Sequence, residues 1–219
     1  MKNQKSQWLA LSMTALGIVL TLSTWFSTTS VAGEISVALT LNNSQIAWLT
    51  NAVQGGFVIG AMISSLFALA DIWPIKWLLS FGAICVGLAN LLILFDTNFA
   101  IAVASRLATG ASLAIVYPTA MKYISTWFIK SRGLAMGILV GALTIGSAFP
   151  HLINSFNLGL DWKSVIKATS LACFIAAAIF INLKDGPYQF KSAIFQWGQL
   201  SRVLKNRPVM LANFGYFGH

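Results

Sequence analysis

Charge is what this sequence has least of: 9% of its 219 residues are charged and only five are acidic, where an average soluble domain carries about a quarter charged residues. That deficit argues against a water-soluble globule. The acids Glu34, Asp71, Asp96, Asp161 and Asp185 fall at the ends of apolar stretches or between them, so no carboxylate pair is available for acid–base chemistry within a membrane. Cysteine is equally scarce. Cys85 and Cys173 both sit inside apolar runs, which leaves no disulfide framework and no CxxC metal site and makes them small buried hydrophobes. GxSxG, HExxH, Walker A and a Cys/His cluster are all missing. No enzyme, metal or cofactor reading survives.

What is abundant is hydrocarbon. Hydrophobic residues make up 57% of the chain and mean hydropathy is +0.77, values that disordered, collagen-like and disulfide-stapled chains do not reach. At about 20 apolar residues per crossing and roughly 10 to 15 per connection, there is room for about six or seven crossings. Apolar stretches over 8–28, 46–70, 77–95, 99–128, 133–156 and 165–183 predict six helices. Lys2 and Lys5, followed by an apolar run and Ser30-Val31-Ala32, imitate a signal peptide. The run is longer than an h-region of about 7 to 15 residues, so it is read as a retained first helix. Tyr117-Pro118 interrupts the fourth stretch and Lys122 lies in its last turns, which predicts a kink or an exit from lipid there. After Pro208 a further apolar run begins and stops at His219. Eleven helical residues span only about 16 Å, about half a hydrocarbon core, so the expectation is the start of a truncated seventh helix.

The net charge of +9, from 14 basic residues, would suggest a polyanionic partner in a soluble protein. Its placement points to a bilayer instead and away from nucleic acid. Lys2, Lys5, Lys76, Lys130, Arg132, Lys184, Lys191, Arg202, Lys205 and Arg207 occupy the N-terminal tail and every second connection, ten of the 14. The alternate connections hold Glu34, Asp96, Asp161 and Lys163, with Lys167 at the edge of the last, so the bias puts the N-terminus and the segment 184–207 in the cytoplasm. The organisation expected is a bundle over 1–183, a basic cytoplasmic loop over 184–207 that meets anionic headgroups, and a helix start over 208–219.

Small residues recur at close-packing spacing: Gly56 with Gly60 in the second helix, and Gly133, Gly137 and Gly141 in the fifth. Such spacing lets helix backbones approach in lipid. Polar residues at membrane depth carry more information, because each costs free energy unless it meets water, a ligand or a partner. Arg106 lies about 10 Å into the hydrocarbon, counted at 1.5 Å per residue, with Asn51 and Gln54 at about 8 and 12 Å on one face of the second helix. His151 falls in the outer part of the fifth helix and Thr21 and Thr24 in the outer half of the first, which predicts a polar vestibule between the first, second, fourth and fifth helices. Arg106 is either a substrate or coupling residue or a donor to backbone carbonyls. Asn51 and Gln54 either touch ligand or bond between helices, and His151 either shuttles protons or caps an interface.

These residues resemble the N-terminal half of a major facilitator superfamily transporter. The motif G-x-L-a-D-[RK]-x-G-[RK]-[RK] after the second helix is met by Phe67 to Lys76, in which Asp71 and Lys76 are kept while Phe67, Ile72, Pro74 and Ile75 depart from it. R-x-x-x-G is present as Arg106 to Gly110, Tyr117-Pro118 follows, and Trp127-Phe128, Arg132-Gly133, Leu134 to Gly137 and Asp161-Trp162-Lys163 resemble the family's later segments. The fifth helix reads GALTIGSAFP over 141–150, without the G-P signature of antiporters, which speaks against a drug/proton antiporter. The resemblance implies an all-α, six-helix bundle of two inverted three-helix repeats, with Gly110 at a packing position, Asp71 and Lys76 in a cytoplasmic gate, and Arg106 serving coupling or substrate binding. It also implies a secondary carrier in the cell membrane, the bacterial inner membrane by this reading, moving a small polar solute by alternating access with or without a coupling proton. Arg106 and Lys122 favour an anion. A single bundle has no second wall to rock against, so it needs a C-terminal half or a second copy. The rival reading is a non-transporting half-carrier or membrane interaction subunit that homodimerises.

Overall fold

In hydrocarbon a backbone polar group has no water to pair with, and a helix satisfies those groups within one segment. The computed structural model describes residues 2–95, 98–155, 161–189 and 205–217. There the apolar stretches fold as α1 (Lys2–Leu22), α2 (Ala32–Ala38), α3 (Asn43–Leu66), α4 (Leu69–Ile72), α5 (Ile75–Leu91) with a 3-10 turn over Leu92–Leu94, α6 (Phe99–Ser125), α7 (Arg132–Ser155), α8 (Trp162–Ile181) and α9 (Arg207–Phe217). Among the described residues α3, α5 with its 3-10 turn, α6, α7 and α8 are long and apolar enough to cross a membrane. Short polar side chains set the starts. Asn42 and Gln45 close a reciprocal capping box on α3, Asn98 accepts from the Ala100 N–H at 2.9 Å, and Asp161 from the Ser164 N–H at 2.9 Å.

The first apolar stretch departs from the expected continuous helix over 8–28. α1 stops at Leu22, and residues 23–31 continue as hydrogen-bonded turns. The reason is local. Ser23, Thr24, Ser27 and Ser30 each turn a hydroxyl onto the carbonyl three residues back, at 2.6–3.0 Å, and such bonds compete with the helical ladder. α2 then lies across that end of the bundle, where Val31, Ile35, Leu39, Leu49, Ile93, Trp162 and Val165 form a separate apolar cluster. By contrast α6 runs unbroken through Pro118.

Packing follows a two-fold pattern. α3 lies on α6 as α1 lies on α7, α5 meets α6 as α1 meets α8, and α5 pairs with α8. This is the arrangement of inverted repeats, α1–α3–α5 against α6–α7–α8. The α3–α6 crossing is set by glycine: a Cβ on Gly56 would strike the Leu107 backbone, one on Gly60 the Ala111 backbone, and one on Gly110 the Val53 carbonyl. The fifth-helix glycines correct the packing expected of them. A Cβ on Gly133, Gly137 or Gly141 would meet nothing within 4 Å, because α7 turns Ala135, Leu139 and Ala142 inward and leaves that glycine face open. Most of the basic segment 184–207 lies outside the described residues, as do Gly218, His219 and Asp96.

Candidate functional site

Arg106 has no exposed surface. Its guanidinium donates from one terminal nitrogen to the Thr24 carbonyl at 3.3 Å and the Ser27 hydroxyl at 3.2 Å. The other terminal nitrogen donates to Asn90 Oδ1 and, at 3.2 Å, to Thr109 Oγ1. Its Nε has no hydrogen-bond partner among the described residues. All these acceptors are neutral, whereas elsewhere in the bundle Lys122 and Asp71 form an ion pair. A buried charge without a counter-ion is costly unless several dipoles face it. Here the broken first span supplies two of them, the Ser27 hydroxyl and the Thr24 carbonyl, which Ser27 also uses.

Asn90, at the end of α5, is the residue that reasoning from the sequence missed. Its Oδ1 also stands 3.2 Å from the Ser27 hydroxyl, whose one proton it shares with the Thr24 carbonyl. Its amide nitrogen lies 3.2 Å from the Ile166 carbonyl, 3.1 Å from Thr169 Oγ1 and 2.7 Å from Ser170 Oγ. One carboxamide thus connects the turn after α1, α6 and α8. The available signal was an amide within the apolar stretch 77–95, overlooked because it carries no charge and sits near the stretch's end.

The other sequence candidates lie elsewhere. Thr21 is buried and donates to the Gly17 carbonyl at 2.6 Å, within its own helix. Asn51 and Gln54 are exposed and do not join Arg106, because α3 buries Leu49, Ala52, Val53, Gly56 and Gly60 against α6. His151 is exposed too, with its ring centroid 6.0 Å from that of Phe26. On the other side Trp25 meets Phe57 of α3 edge-on at 5.2 Å. The half-buried Trp25 and Phe26, neighbours in the turn, therefore reach to α3 and α7 respectively. Arg106, Asn51 and Gln54 therefore do not meet at one level: Arg106 lies in a buried hub behind an open face.

At the opposite end, Lys122 Nζ lies 2.6 Å from Asp71 Oδ1 and 2.6 Å from the Ala70 carbonyl, tying α4 to α6. Lys76, half-buried, stands in the first turn of α5. Tyr123 donates to the Lys184 carbonyl at 2.7 Å and the Tyr188 N–H to the Thr126 carbonyl at 3.0 Å, which docks the segment after α8 on the end of α6. An open cleft of about 250 Å³ lies between, lined by Asp71, Lys122, Tyr123, Thr126 and Asp185 among others.

The sequence profile of the Major Facilitator Superfamily matches residues 14–218. The chain belongs to this superfamily. Members of the superfamily are multi-pass membrane transporters and not enzymes. Relatives include the methyl viologen resistance protein SmvA of Salmonella typhimurium, 27% identical over 61% of this chain and 27% of its own length. The 4-hydroxybenzoate transporter PcaK of Acinetobacter baylyi is 26% identical over 74% of this chain and 36% of its own. The MFS-type transporter pytF of Aspergillus terreus is 26% identical over 80% of this chain and 59% of its own. In each case the superfamily chain described here spans less than two thirds of the relative.

Proposed function

We propose that this chain forms one six-helix bundle of a secondary carrier that moves a small polar anion by alternating access, working against a second bundle from a C-terminal half or another copy. The observation that carries the reading is the guanidinium of Arg106, fully buried and bonded only to neutral oxygens. A fixed positive charge in a low-dielectric wall raises the local concentration of anions and opposes cations. Asn51, Gln54 and His151 on the open face supply polar contacts to the solute, with His151 the candidate for a coupling proton. Gly137 and Gly141 leave room on α7 for a helix of the second bundle. Asp71, with Lys76 nearby, belongs to the gate at the inner end, in a cell membrane of bacterial inner-membrane type. One relative is named for 4-hydroxybenzoate, an anion, and another for methyl viologen, a cation, which makes the pair a direct test.

Purified chain in detergent is titrated with both solutes by calorimetry. Binding of 4-hydroxybenzoate that weakens about tenfold in Arg106→Gln, a loss of about 1.4 kcal/mol, supports the proposal where circular dichroism shows the helices kept. Binding of methyl viologen alone overturns the anion reading. Uptake of neither solute, nor of a broad panel, by proteoliposomes holding the chain with its second bundle overturns the carrier.

A further inference from the structure

The buried hub does more than shelter a charge. The turn over 23–31 is tied by i to i−4 bonds at its two ends, from Ser23 to Val19 at 3.2 Å and from Ser30 to Phe26 at 2.9 Å, but between them only short-range bonds run, from Thr24 to Thr21 at 3.4 Å, Trp25 to Leu22 at 3.0 Å and Ser27 to Thr24 at 3.4 Å. Two of these three bonds are longer than the usual N–H···O range, so the middle of the turn gains from outside help at membrane depth. The help comes from Arg106, which reaches the Thr24 carbonyl and the Ser27 hydroxyl. Arg106 in turn is held by Asn90 Oδ1, and Asn90 is anchored to α8 through its amide nitrogen. Trp25 and Phe26 leave this same turn for α3 and α7.

We infer that Asn90 is a positioning residue. Its carboxamide oxygen fixes the Arg106 guanidinium on the turn of the first span, its amide nitrogen fixes that assembly to α8, and the pair of bonds thereby sets where Trp25 and Phe26 stand on the open face. Asn90 touches no solute. The last step, that these rings stand beside solute, rests on the carrier reading, whereas the mechanical linkage from α8 to the turn does not.

The two halves of the carboxamide are separable by substitution. Asn90→Asp keeps acceptors for Arg106 and Ser27 but has no donor for Ile166, Thr169 and Ser170, while Asn90→Leu has neither. The turn is read by amide hydrogen exchange of residues 23–31 in nanodiscs. The α8 side is read by alkylation of native Cys173, which is buried one turn from Ser170, packs near Gly87 of α5 and turns its thiol to the Thr21 carbonyl within α1 at 3.8 Å. Peptide mass spectrometry separates it from Cys85. In Asn90→Leu both signals rise about tenfold or more. In Asn90→Asp the turn stays as protected as in the wild type and only Cys173 alkylation rises. Ser27→Ala, which leaves Asn90 in place, loosens the turn without exposing Cys173 and serves where Asn90→Leu does not fold. Wild-type exchange of the turn in both Ser27→Ala and Asn90→Leu overturns the proposal, and so does a turn loosened in Asn90→Asp as much as in Asn90→Leu. These signals need no solute, so a failure here is distinct from a failure of the anion titration.

Discussion

Arg106 and Gly110 stand four residues apart on α6 and solve opposite problems. The guanidinium needs many acceptors and finds them on the side of α5 and of the broken first span. The glycine needs nothing at all, because the α3 backbone occupies the place of its Cβ. Overpacking of that kind costs typically 1–3 kcal/mol when side chains alone must move, and here the obstacle is the Val53 carbonyl, which moves only with its helix. Gly110→Ala is therefore expected to destabilise the bundle by at least about 2 kcal/mol, read as a lower thermal midpoint in detergent. Gly137→Ala, with nothing within 4 Å of its Cβ, serves as the control and is expected to change the midpoint little. At this scale a sequence shows charge more readily than partnership. Arg106 stands out in an apolar run whatever it touches. Asn90 becomes visible only once folding has brought the turn after α1, α6 and α8 around it, contacts separated by as many as 80 positions in the chain.

The helices were legible because each long apolar stretch has one physical solution in lipid, and starts such as Asn42, Asn98 and Asp161 carry the side chains that cap. Less legible was the end of the first span. Ser23-Thr24 and the cluster 27–30 hold the hydroxyls that unwind it, yet hydropathy counts these residues as nearly neutral and reads through them. Open faces were not legible at all, since glycine spacing announces that a helix can be approached and not which neighbour approaches it. One cap offers a pH test. The Asp161 carboxyl is held below the usual carboxylate range by its hydrogen bonds with Ser164, aided by Lys167 and Lys163. A carboxyl lowered in the folded state stabilises above its unfolded value of about 3.9 and loses that contribution as pH falls through the folded value. Wild-type thermal stability is thus expected to decline between about pH 5 and pH 3 by more than that of Asp161→Ala, measured by helical ellipticity in detergent. Parallel curves for the two proteins would remove the cap from the account of α8.

For the whole molecule, two contacts decide which termini share a side. Gln7 donates to the Trp127 carbonyl at 2.9 Å, and Tyr123 to the Lys184 carbonyl at 2.7 Å. The start of α1 and the segment after α8 therefore meet the same end of α6, while Glu34 of α2 accepts from the Trp162 N–H at 2.8 Å at the other. Packing fixes this relation but not which end faces the cytoplasm. We propose that charge supplies the missing sign: among the described residues Lys5, Lys76, Lys122, Lys130 and Arg132 join Lys184 at that end, and an excess of Lys and Arg is retained inside. In a Cys85→Ser, Cys173→Ser background, a cysteine at Ser36 is expected to react with a membrane-impermeant maleimide in intact cells, and a cysteine at Tyr188 only after permeabilisation. The opposite pattern would invert the molecule and move the Lys122–Asp71 tie and its cleft to the outer surface. It would leave the helix contacts untouched, because their pattern is blind to the direction of the membrane. The gate assigned to Asp71 would not survive that inversion, since its role depends on facing the side from which a second bundle must close.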